Sequence, residues 1–364
     1  MENSDAKSHR PTILIVKQTD MKYEVTIGIP VYNVEKYIRL SLDSVMAQTF
    51  PSIEFLFCDD CGTDGSIDII KEYQQNHPRG KDLRIIHQPR NMGIGAARNR
   101  MLAEAQGRYF YSLDADDAIA ENTIALLYNT AQKYQAEIVY GSYERVFIEN
   151  GQETGRKQFP YPLHVFTEED VFADYVYHVG IQGMNWNYLI DMDVIRRNHL
   201  RVTEVGHGYG EDFTFTIDLP TYITRAVLLP DITYHYYNRD VNKPKKKKIL
   251  NRKYMDLAIK AIEEKKSREE LRGKRYYSKR ISRLMMLDCS FACEMVGRRK
   301  EFDIPYTNRE VRDMMWHPMT FWQIVYGKSG RYHNMLYYIY GVVPPFLCAW
   351  LLKPMIRRYG VKTR

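Results

Sequence analysis

The stretch NMGIGAARNRMLAEAQGRYFYSLDADD, residues 91–117, decides how the chain is read. A glycine-rich turn runs into a helical pattern, Gly107 ends that helix, and an apolar strand, YFYSL, delivers three aspartates within four positions. Carboxylates crowded at a strand end repel one another, so Asp114, Asp116 and Asp117 imply a compensating charge.

Working outward, the same unit recurs. EVTIGIPVYN (Glu24 to Asn33) reads as a buried strand stopping near Pro30, and EKYIRLSLDSVMAQTF as the helix after it. IEFLFCDD is a second strand, CGTDGSIDIIKEYQQN a turn and helix, LRIIHQ a third strand, and ENTIALLYNTAQKYQ a helix behind the aspartates. Strand and helix thus alternate four times, which predicts an α/β fold with a Rossmann-like, mostly parallel sheet flanked by helices. Ligands in such sheets bind beyond the C-terminal strand ends, where Tyr32/Asn33, Asp59/Asp60, Asn91/Arg98 and Asp114/Asp116/Asp117 all fall. Asp117 also sits where it would help cap the next helix. Farther on, Thr167 with Asp170 reads as a helix cap, and GHGYGEDFTFTIDLP as a glycine-rich loop entering a helix.

Composition sets the context. The 364 residues carry a net charge of +7, but 30 basic and 12 acidic residues lie from Arg239 onward, leaving the first 238 acidic. Three regions are expected: a lead-in over 1–22, a catalytic or binding domain over 23–238, and a basic, mainly helical region over 239–364. Five cysteines without framework spacing and no signal peptide fit a reducing, cytoplasmic setting. Cys58 and Cys61, with Cys289 and Cys293, read as core thiols rather than a zinc site. The uncharged run MLYYIYGVVPPFLCAWLL with its basic flank, about 335–358, predicts a segment that inserts shallowly into an anionic membrane on its cytoplasmic side; the lysines of KPKKKK, which no nucleic-acid motif accompanies, suit lipid headgroups.

Taken together and in order, VTIGIPVYNVEKYIRLSLDSVMAQTF, LFCDDCGTDGS, NMGIGAARNRMLAEAQGRYFYSLDADD and GEDFTF resemble the family 2 glycosyltransferases of the GT-A fold, over about Glu24 to Leu219. The resemblance implies an inverting transfer of one sugar from a nucleotide-diphosphate sugar, usually a UDP-sugar, with Mn²⁺ or Mg²⁺ as cofactor. By position, it puts Pro30, Tyr32, Asn33 and Glu35 around the nucleotide, Asp60 on its base and Arg98 on the nucleotide or its phosphates. Asp116 and Asp114 become the metal ligands, Asp114 also approaching the ribose. Asp212 becomes the general base with Glu211 beside it, and Trp186 and His207 become acceptor or lid residues. Three features depart from the family pattern: Cys61-Gly62 replaces the usual glycine-serine, Tyr188 stands where lysine is common, and no Q-x-x-R-W follows GEDF, which implies a non-processive enzyme. The expected acceptor is a glycan or lipid-linked precursor. The competing reading is a non-catalytic nucleotide-sugar or glycan-binding module.

Overall fold

The computed structural model describes residues 22–179, 184–204, 211–239, 250–316 and 318. Among the described residues, ten strands form one sheet: β1 (Tyr23–Val31), β2 (Ile53–Asp59), β3 (Leu83–His87), β4 (Gly107–Ser112), β5 (Ala118–Ile119), β6 (Ile138–Glu149), β7 (Gln152–Phe159), β8 (His164–Phe166), β9 (Tyr188–Asp191) and β10 (Ala226–Arg239). The helices are α1 (Ile38–Met46), α2 (Ser66–Asn76), α3 (Ile94–Glu104), α4 (Thr123–Tyr134), α5 (Val171–Val179), α6 (Met192–Arg197), α7 (Glu211–Thr216), α8 (Arg252–Lys266), α9 (Tyr277–Gly297) and α10 (Asn308–Met314).

The main path is β3-β2-β1-β4-β9-β6-β10-β5, with β7 paired to β6 and β8 to β10. The four strands read from the alternating units are parallel to one another, as expected. β9 then joins β4 to β6 by antiparallel ladders on both its edges, and β6 and β10 run parallel again. The sheet is therefore an α/β sheet with a parallel half and a mixed half. Alternate β2 residues separate its two faces: Phe55 and Phe57 pack with Ile38, Leu42 and Val45 of α1, while Leu56 and Cys58 pack with Ala97 and Met101 of α3. A third core joins α8, α9 and α10 to Ala173, Tyr177 and Ile217.

Two local expectations change. Gly107 does not end the helix; it opens β4, where an added Cβ would lie 2.4 Å from the Thr26 amide nitrogen, so glycine is needed for strand approach. The helix expected to start at Thr167 starts instead at Val171, after Asp170 takes the left-handed conformation at φ 66°.

All of the expected 1–22 lead-in but its last residue, the lysine run KPKKKK and the apolar segment at about 335–358 lie outside the described residues. Among the described residues, no helix is long and apolar enough to cross a membrane.

Candidate active site

Two loops close the C-terminal ends of β1 and β2. Asn33, at φ 53°, accepts the Thr63 amide on its Oδ1 at 2.7 Å. Glu35 Oε2 accepts the Gly65 amide at 2.9 Å, and the Glu35 amide donates to Asp64 at 2.9 Å. Gly62 makes this approach possible, because a Cβ there would stand 3.0 Å from the Asn33 amide nitrogen. Cys61 has φ 58°, where a side chain is costly by about 1–2 kcal/mol. That value accounts for the glycine usual at this position in the family. Here the Cys61 amide donates to Asp59 Oδ1 at 3.0 Å and the thiol to the Gln88 carbonyl at 3.1 Å, which offsets the strain. Cys58 is fully buried, and burial pushes its thiol up to about 12, as befits an inert core group.

Asp59 and Asp60 divide their work. Asp59 holds the turn and pairs with His87 Nδ1 at 2.9 Å. Asp60, buried, accepts the Met92 amide at 2.7 Å and the Gly93 amide at 2.9 Å, one on each oxygen. It thus clasps the turn that opens α3 while its remaining lone pairs stay available. Pro30 ends the same corner in β1, and Tyr32 is 48% exposed at the rim.

Arg98, on α3, is the centre of the arrangement. It is buried and donates from Nη1 to Asp212 Oδ1 at 2.6 Å and from Nη2 to Asp114 Oδ1 at 3.0 Å. One guanidinium on α3 therefore ties the end of β4 to the start of α7, the latter 114 residues beyond Arg98 in sequence. Arg98, expected on the nucleotide or its phosphates, donates from each terminal nitrogen to a protein carboxylate. Its Nε, Ser112 Oγ and the Asn185 amide are buried without partners among the described residues. These residues border a cavity of about 20 Å³, the size of one water.

Burial pushes the Asp212 carboxyl up to about 6; Arg98 pulls it down, while Glu211 and Asp114 push it up. Glu211 is itself buried at the first position of α7. Burial and then Asp114 also raise Asp116, with Arg239 acting in the opposite sense. Carboxyls held above their usual range mark a corner short of positive charge.

The residues fit a hard divalent cation. Asp114 and Asp116 offer carboxylate oxygens, and the Asp116 side chain is 46% exposed with a loose 3.4 Å contact to Arg239. Among the described residues no group of three or more His, Cys, Asp or Glu is placed to hold a metal by itself. Two carboxylates that leave room for phosphate oxygens and water suit Mg²⁺ or Mn²⁺.

Asp117 is no helix cap, since Asn122 occupies that position of α4. It is buried and accepts the Tyr234 hydroxyl at 2.9 Å and the Tyr237 amide at 2.8 Å, which anchors β10 against the aspartate loop. Burial, then Asp116 and Asp114, raise it well above its ordinary value. Trp186 is buried in an aromatic column, stacked on Tyr234 at 4.2 Å and edge-on to Tyr143 at 5.2 Å, so its ring faces are taken by protein. Tyr188, in lysine's usual place, is buried beside Tyr140 at 5.1 Å and offers a phosphate no charge. His207 lies outside the described residues. Arg239, which belongs to no recognisable motif, reaches this corner from the end of β10.

Residues 26–190 match the family described as glycosyl transferase family 2. Glycosyltransferase GlyA of Streptococcus pneumoniae is 39% identical over 121 residues, which are 33% of this chain and 17% of that protein. The cholesterol galactosyltransferase of Borreliella burgdorferi is 25% identical over 226 residues, 60% of this chain and 61% of that protein. The chain thus spans less than two thirds of these relatives. Among solved structures, S. aureus TarS 1-349 in complex with UDP-GlcNAc superposes with a TM-score of 0.53 at 18% identity, covering 76% of this chain and 88% of that one. That likeness gives the fold, GT-A.

Proposed function

Residues 26–190 belong to glycosyl transferase family 2, and from that membership we propose that the chain moves a single sugar from a UDP-sugar to an acceptor hydroxyl with inversion. The observation that carries this reading is the Arg98 bridge, which holds Asp212 and Asp114 on the two terminal nitrogens of one guanidinium. A direct displacement needs a base on the acceptor side and positive charge on the leaving-group side, and in this reading Asp212 is that base and Asp114 helps hold that charge.

In this reading Asp60, Asn33, Tyr32, Pro30 and Glu35 form the nucleotide pocket, and the Asp60 lone pairs not used by Met92 and Gly93 meet the base. Asp212 takes the acceptor proton as the hydroxyl attacks the anomeric carbon, and the bond to the diphosphate oxygen breaks with its electron pair leaving on the diphosphate. Arg98 holds Asp212 in the ionised form that this needs and fixes its direction. Glu211 lines the acceptor side. Mn²⁺ or Mg²⁺ on Asp116 and Asp114 would supply charge neutralisation for the departing diphosphate. The acceptor is a glycan or lipid-linked precursor, reached at the cytoplasmic face of an anionic membrane through the basic C-terminal region.

The test is release of nucleotide diphosphate from a panel of UDP- and GDP-sugars with a lipid extract as acceptor, with Mn²⁺ and with chelator. Turnover of a UDP-sugar that chelator stops, and that Asp212→Asn loses while still binding UDP, is the expected result. UDP binding without turnover of any donor would instead establish the non-catalytic binding module.

A further inference from the structure

Arg239 belongs to none of the motifs that point to the site. It closes β10, and its guanidinium lies over two tyrosine rings, 4.2 Å from the Tyr37 centroid and 5.0 Å from that of Tyr237. Nη1 stands 3.4 Å from Asp116 Oδ2 and 3.4 Å from the Tyr237 carbonyl oxygen. The side chain is 17% exposed. Two aromatic faces therefore fix the position of this cation while consuming none of its N–H groups. Both hydrogen bonds it makes among the described residues come from Nη1 and are long, so among those residues most of the donor fork is unused.

The three elements that hold Arg239 all belong to the site. Tyr37 follows the loop of Tyr32, Asn33 and Glu35; the Tyr237 amide donates to Asp117; and Asp116 is a candidate metal ligand. A nucleotide diphosphate entering this corner adds negative charge beside the carboxylates of Asp114, Asp116 and Asp117, so a cation there has work to do. Arg98 is only 5% exposed and already donates from each terminal nitrogen to a carboxylate, Asp212 and Asp114.

We propose that Arg239 is a diphosphate ligand of the donor: Asp116 holds it in the free protein, and it turns its open N–H fork to the diphosphate when a divalent cation takes Asp116. A planar guanidinium meets phosphate oxygens in bidentate fashion, which the loose 3.4 Å contact does not do with Asp116. The inference rests on the donor-binding reading above.

The experiment is titration calorimetry of the full chain with UDP and with uridine, in Mn²⁺ and in chelator, for the wild type, Arg239→Gln and Arg239→Lys, each checked by thermal melting. Arg239→Gln is expected to weaken UDP roughly tenfold or more, the scale of a lost charge-assisted hydrogen bond, and to leave uridine unchanged. Arg239→Lys, which keeps the charge without the fork, should fall between the two. A wild type that binds no UDP refutes the donor reading and the inference with it. A wild type that binds UDP beside an Arg239→Gln protein of equal affinity overturns the inference alone, as does a parallel loss of uridine. If Arg239→Gln shows no cooperative melt, an Arg239→Lys protein with undiminished UDP affinity overturns it.

Discussion

Replacing Arg98 with methionine keeps an unbranched apolar stem and removes the guanidinium, so it tests what the bridge does. The guanidinium is 5% exposed and lies 2.6 Å from Asp212 and 3.0 Å from Asp114. Removing one partner of a buried pair costs about 3–5 kcal/mol. Asp212 and Asp114 are 35% and 25% exposed, so solvent screens what is left and the lower end, about 3 kcal/mol, is expected. The second consequence concerns the pH profile. Burial holds Asp212 at about 6 with Arg98 pulling it down; without Arg98, burial, Glu211 and Asp114 all act upward. A general base works when deprotonated, so kcat/KM of the wild type should rise with pH through about 6 and level above it. In Arg98→Met that limb should move up by about one unit or more, which is about 1.4 kcal/mol of lost preference for the ionised form. The assay is kcat/KM for the best donor from pH 5 to 9, with denaturant melts at each pH. An acid limb that stays where it was, in a variant that is folded and active, would refute the assignment of Arg98 as the group that keeps Asp212 ionised.

Other variants probe neighbouring parts. Asp116→Ala should lose at least about a hundredfold in metal-dependent turnover, the scale of several kcal/mol of charge stabilisation, yet change stability by only about 0.5 kcal/mol; near-normal rates in Mn²⁺ would remove it from the metal site. Asp60→Ala strands the Met92 and Gly93 amides and should cost about 1–3 kcal/mol in thermal denaturation, together with weaker UDP binding by calorimetry. Lys266, fully buried, donates to Asp288 at 2.9 Å, so Lys266→Met should destabilise by about 3–5 kcal/mol in denaturant melts. Burial raises Asp288 from its ordinary 3.8 to about 7, so the folded chain keeps that proton longer than the unfolded one does. This group's contribution to stability therefore falls as pH rises between those values, and the Lys266→Met loss should be larger at pH 8 than at pH 5.

The parallel half of the sheet was legible because each strand carries its own signal: apolar β-branched and aromatic runs, each followed by polar residues at its end. The convergence of the four polar clusters followed from the strand ends alone. The mixed half was not legible, since β9 is four residues long and takes both its neighbours from distant sequence. The same limit hid the role of Arg98, whose partners lie 16 and 114 residues away. Asp117 looked like a cap because a helix follows it; its real partners, Tyr234 and Tyr237, stand on a strand more than a hundred residues later. Arg239 closes the run YHYYNR, whose composition reads as an aromatic strand and nothing else.

Asp218 shows where the working unit can be cut. It lies six residues after Asp212 and is paired with Arg280, buried on α9, and with Lys265 and Arg268 near the end of α8. A shortened chain ending at β10 would keep the whole family match and every candidate site residue, yet strip Asp218 of all three cations and uncover Ala173, Tyr177 and Ile217 beside the helix that carries Asp212. Recombination that exchanges the helices for those of a relative meets the same requirement, because the incoming piece must bring cations to this one carboxylate. The smallest transferable catalytic piece therefore runs at least through Arg280, well past the boundary that similarity alone would draw.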